Sequence, residues 1–97
     1  MKKFLVLTYG FTVPTEDIKN AWGAWFASVG SRLVDPGSPF GRGVELTKTG
    51  RADLTLDSAA PLVGYCILNA DSLPEAEELV ATMPIIDSVR VYEAQSM

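Results

Sequence analysis

The sequence predicts an α+β domain in which two β-α-β units flank an exposed β-arm, with both helices on one face of an antiparallel sheet. Three features of the chain point there. Apolar, β-branched runs bounded by turn residues recur at the start, the middle and the end. Two segments between those runs repeat apolar residues at helical spacing behind a capping residue. The length of 97 residues, 47% hydrophobic and 21% charged, suits a single folded domain over residues 1–97.

The elements follow in order. Lys3–Tyr9 is apolar and β-branched and stops at Gly10, so it reads as a strand. Thr15 is then placed as an N-cap, with Glu16 and Asp17 where the helix dipole favours negative charge. Ile18, Trp22, Trp25, Phe26 and Val29 form one apolar stripe, and Gly30 is positioned as a C-terminal cap. Arg32–Asp35 reads as a short strand, followed by the turn-rich stretch LVDPGSPFGRG from Leu33 to Gly43. Val44–Lys48 and Ala52–Leu56 alternate around Thr49-Gly50 as an exposed hairpin, the arm. Leu62–Ala70 is a strand with apolar residues on both faces. Ser72 to Glu75 has capping-box spacing with Pro74 in the first turn. The helix it opens groups Leu73, Ala76, Leu79, Val80 and Met83 on one side and ends before Pro84. Ser88–Ala94 alternates as the last strand. The order is that of a ferredoxin-like βαββαβ domain carrying an extra β-arm.

Two helices cover only one face of such a sheet. Phe4 and Val6 point opposite to Leu5 and Leu7, and Val63, Tyr65 and Ile67 opposite to Leu62, Cys66 and Leu68. Both faces are therefore apolar, which a sheet with one side in water should not be. A second copy packed sheet to sheet resolves this, so a homodimer is expected.

Composition removes several function classes. The 8 basic and 12 acidic residues give a net charge of −4, which argues against a nucleic-acid or anionic-membrane binder. The apolar run Phe4–Leu7 is shorter than the roughly 7–15 residues of a signal peptide core. No run approaches the ~20 residues of a membrane span. The expectation is a soluble cytoplasmic protein, with the single Cys66 suited to a reducing compartment. Histidine is absent, which removes imidazole acid–base catalysis, Ser-His and Cys-His nucleophile pairs and imidazole metal ligation. The carboxylates are scattered and no metal or other cofactor is expected.

The stretches MKKFLVLTYG, AWGAWFASVGSRLVDPG (Ala21–Gly37) and PLVGYCILNADSLPEAEEL (Pro61–Leu79), with Pro84 and VRVYEA, resemble the YCII-related family of the dimeric α/β-barrel group. The resemblance implies a ferredoxin-like protomer whose sheet packs on that of a second subunit. Some members are proposed to use a His-Asp pair in a cleft. Here no histidine exists, and the position before Pro84 is Met83, where those members place Asp. The DGPF signature of another branch is replaced by Asp57-Ser58-Ala59-Ala60. The family's pair therefore does not transfer, and its sigma-factor-associated relatives keep a regulatory role open.

Each candidate site residue also has a plain structural role open to it. In the loop from Asp35 to Gly43, Asp35 is a candidate general base, Ser38 a hydrogen-bond donor and Phe40 a lid, against plain turn formation by Asp35-Pro36-Gly37 and Ser38-Pro39. Gly41-Arg42-Gly43 is no nucleotide fingerprint, because the third glycine would fall at Leu46. Trp22 is the tryptophan expected to border a pocket, since Gly23 and Ala24 leave space beside it. Tyr9, Tyr65, Arg90 and Tyr92 put polar tips on sheet strands, and Arg90 could bind a carboxylate or form an interface ion pair. Cys66 lacks an activating neighbour and reads as an inert filler. Gly64-Tyr65 sits where an RNA-recognition strand carries its Gly-aromatic pair, but Val63 and Ile67 break that pattern. Two functions stand: a small-molecule binder or cofactor-independent enzyme, taking a small carboxylate or aromatic metabolite beside the 35–43 loop, or a non-catalytic dimeric module for regulation or protein interaction.

Overall fold

In the computed structural model, which describes residues 1–96, the two strands that are apolar on both faces lie side by side. β1 (Lys2–Tyr9) and β5 (Leu62–Ala70) pair antiparallel from Lys2↔Ala70 to Thr8↔Gly64, with a register shift before Tyr9. The short β2 (Leu33–Asp35) flanks β5, and β6 (Ser88–Glu93) flanks β1, giving the strand order β2-β5-β1-β6. Every neighbouring pair is antiparallel. With two helices, α1 (Glu16–Val29) and α2 (Leu73–Val80), the chain is an α+β protein compatible with a small ferredoxin-like fold.

Both helices begin where the sequence places a cap. The Thr15 hydroxyl accepts the amide of Ile18 at 3.2 Å, and the Ser72 hydroxyl accepts that of Glu75 at 3.3 Å. Glu75 also accepts the amide of Asp71 at 3.4 Å and pairs with Arg32, which ties the start of α2 to the turn of 3-10 helix at Gly30–Arg32. Gly30 closes α1 with φ 54°. The expected end of the second helix before Pro84 is nearly met: α2 stops at Val80, and Met83 turns back to donate to the Val80 carbonyl at 3.0 Å.

The core lies between the helices and one face of the sheet. Phe4, Val6 and Leu68 are fully buried, and Trp25, Val29, Cys66, Val80 and Met83 close around Val6 and Leu68. Full burial of a large apolar side chain contributes about 1.5–3 kcal/mol, so these residues hold the helices on the sheet. The indole of Trp25 donates to the Leu79 carbonyl at 2.9 Å and links the two helices. Val89 and Val91 of β6 pack on the same side.

The opposite face stays open. Leu5, Leu7, Tyr65 and Ile67 are only half-buried, and Tyr92 is 52% exposed. The Arg90 guanidinium on this face stands 4.7 Å from the centre of the Tyr9 ring, a cation–π contact.

β3 (Gly43–Thr47) and β4 (Gly50–Leu54) form a separate two-stranded sheet, the arm. Every residue of both strands is exposed, Val44, Leu46 and Leu54 included. The reversal falls at Lys48-Thr49, because Thr47 pairs with Gly50; the expected Thr49-Gly50 turn is one residue late. Among the described residues no helix is long and apolar enough to cross a membrane.

Candidate functional site

The stretch after β2 is shaped by a single carboxylate and a single glycine. One oxygen of Asp35 accepts the amide of Gly37 at 2.8 Å, and the other accepts the Tyr65 hydroxyl at 3.2 Å. Gly37 has φ 75°, and a side chain there would overlap the backbone carbonyl oxygen of Tyr65. The chain then runs along β5: Pro39 bridges to Gly64, and the Phe40 amide donates to the Val63 carbonyl at 2.7 Å. Gly64 leaves room for this, since a Cβ would stand 3.3 Å from the Ser38 carbonyl oxygen and 3.2 Å from the Thr8 hydroxyl. Residues 36–40 are thus docked to the sheet, and Phe40 stacks on Tyr65 with ring centres 5.7 Å apart.

Where this docked segment meets the end of β1 and the start of α1, the protein forms a half-open cavity of about 440 Å³. Drug-sized molecules occupy pockets of about 300–1,000 Å³. Trp22 and Phe26 of α1, Met83, and Val89 of β6 supply apolar lining. Trp22 stands edge-on to Trp25 at 5.9 Å and close to Phe26 at 5.7 Å, so the wall is braced from behind by the core. Polar atoms enter sparsely, from Thr8, Ser38 and Ser88 among others.

Of the residues singled out in the sequence, Tyr9, Trp22, Ser38, Phe40 and Tyr65 line this cavity. Asp35, Arg90 and Tyr92 stand outside its lining. Asp35 holds the loop and the Tyr65 hydroxyl, and Arg90 holds the Tyr9 ring. Phe26, Thr8, Lys19 and Met83 also line the cavity and lie outside the site residues that the sequence suggests. Phe26 and Lys19 were within reach of the sequence, being four and three residues from Trp22 on one helix. Thr8 had no such signal, because its place depends on the pairing with Gly64.

The electrostatics are quiet. The Cys66 thiol is pushed up to about 11, chiefly by burial and then by the charge of Asp35. The Tyr65 hydroxyl is raised by the Asp35 charge, by its hydrogen bond to that carboxylate and by burial. A thiol held protonated in this way is no nucleophile near neutral pH. Among the described residues the lining contains no Asp or Glu, and its one formally charged side chain is Lys19. Among the described residues no group of three or more His, Cys, Asp and Glu side chains could hold a metal ion. Such a site can enclose an apolar molecule and hydrogen-bond its edge. No model of a known protein family matches the chain, and a search of curated proteins finds no similar protein.

Proposed function

We propose that the chain binds a small, largely apolar molecule in the cavity between α1, the sheet and residues 36–40. The observation that carries this is an apolar cavity of about 440 Å³ with no acidic side chain among the described residues of its lining. A site for proton transfer needs a positioned base, and Asp35 is occupied in shaping the loop. Binding is therefore favoured over catalysis. A thermal-shift screen of aromatic and alicyclic fragments tests it, since a ligand of the native state raises stability by mass action. Fragments should raise the melting temperature of the wild-type chain and lose that effect in Trp22→Ala. Absence of saturable binding by any fragment, or full retention in Trp22→Ala, overturns the proposal.

The protein works as a sheet-to-sheet homodimer in this reading, as members of the YCII-related family do by the resemblance of its sequence. The half-buried Leu5, Leu7 and Ile67 on an open sheet face support it. Sedimentation should give a dimer at micromolar concentration, and Leu7→Glu, which places charge at the middle of that face, should give a monomer. The alternative, a non-catalytic module for regulation or protein interaction, is favoured by the fully exposed arm. It gains if the arm, rather than the cavity, proves necessary for the protein's associations.

A further inference from the structure

The cavity is apolar around most of its lining, yet one long cationic side chain reaches it. We propose, building on the cavity reading above, that the ligand is an amphipathic monoanion: an aromatic or alicyclic body lying against Trp22 and Phe26, with a carboxylate met by Lys19.

Among the described residues, Lys19 is the only Lys, Arg, Asp or Glu in the cavity lining. It lies three residues before Trp22, so the ammonium and the indole share one edge of α1. Helical side chains lean toward the N-terminus, which carries the lysine tip toward Thr12 and Pro14, also part of the lining. Among the described residues Lys19 takes part in no ion pair, although Glu16 lies one turn earlier on the same helix surface. A ligand carboxylate would meet a cation without a closed partner and, among the described residues, no acidic side chain in the surrounding lining. The rest of the ligand would lie among rings, where offset or edge-on contacts suit a flat hydrocarbon body. A dianion finds only one partner there, and a cation would face Lys19 across an apolar wall.

Lys19 is exposed, so its contribution is that of a solvated pair, screened by salt. Calorimetric titration with naphthalene-2-carboxylate and its neutral carboxamide, which share one ring system, tests the proposal. The carboxylate should bind roughly two- to five-fold more tightly at low salt, the range of an exposed ion pair. Lys19→Met should abolish that gap, Lys19→Arg should keep it, and higher salt should narrow it. Because the lysine is on the surface, neither substitution threatens the fold. Equal binding of the two probes, unchanged in Lys19→Met, overturns the anion preference and leaves the cavity reading intact. Failure of both probes to bind, while other fragments still bind, overturns the proposed ligand; failure of every fragment overturns the cavity reading as well.

Discussion

Gly37 is where the site is most sensitive to a single methyl group. In Gly37→Ala the added Cβ would collide with the backbone carbonyl of Tyr65, and it would stand 2.6 Å from the carbonyl carbon. Backbone in a paired strand cannot step aside as a flexible side chain can. The residue also has φ 75°, which costs a non-glycine residue about 1–2 kcal/mol. Relief requires residues 36–40 to leave β5, giving up the Phe40–Val63 hydrogen bond and the Asp35–Gly37 hydrogen bond. Each contributes about 1 kcal/mol. The sum is about 3–4 kcal/mol, which for a domain of this size lowers the melting temperature by roughly 12–32 °C. Gly41→Ala is the matched control, because its Cβ meets nothing within 4 Å and its φ is ordinary. Thermal and urea unfolding of both variants at one protein concentration would measure the difference. Equal stability of the two, within about 0.5 kcal/mol, would refute the docked geometry of residues 36–40.

Three further outcomes are expected. An acid whose pKa rises on folding holds its proton more tightly in the native state, so stability present below pH 9 is lost as pH climbs toward 11. For Cys66, moved from 9.0 to about 11, the loss reaches about 2–3 kcal/mol, and Cys66→Ala should flatten the urea-stability profile over that window; an unchanged decline would assign it to other groups, Tyr65 first. Trp25→Phe should cost about 1–2 kcal/mol through lost volume and the lost indole bond, and no more, because the Leu79 carbonyl still accepts the Thr82 hydroxyl at 3.1 Å. Ser72→Ala should lower stability by about 1 kcal/mol by uncapping α2, while Ser72→Asp should retain most of it, both read by circular dichroism on heating.

The parts of this protein visible in its sequence are those governed by local rules. Thr15, Gly30 and Ser72 act within one turn of themselves, and the caps stand where the residues put them. The two-sided character of β1 and β5 was also legible, because alternation in a strand needs no knowledge of its neighbour. The cavity was only partly so. Trp22, Ser38 and Phe40 were singled out, yet that Phe40 would dock through Val63 depends on a contact between distant parts of the chain. Asp35 illustrates the limit: its residue type suits both a base and a turn, and only the two hydrogen bonds it accepts distinguish them. The arm's reversal at Lys48-Thr49 was misplaced by one residue because Gly50 looks like a turn residue and serves as the first residue of β4.

The docking of Phe40 on Val63 also has a topological consequence. It closes the chain on β5 upstream of the arm, and β5 itself resumes at Leu62. Everything in between, β3 and β4 included, is a side loop hung from a junction already fixed at both feet. Loop-closure entropy changes slowly with length, by about 0.6 kcal/mol per doubling. The segment is therefore a natural graft point, where the chain can lengthen, shorten or accept foreign sequence while the central four-stranded sheet keeps its register.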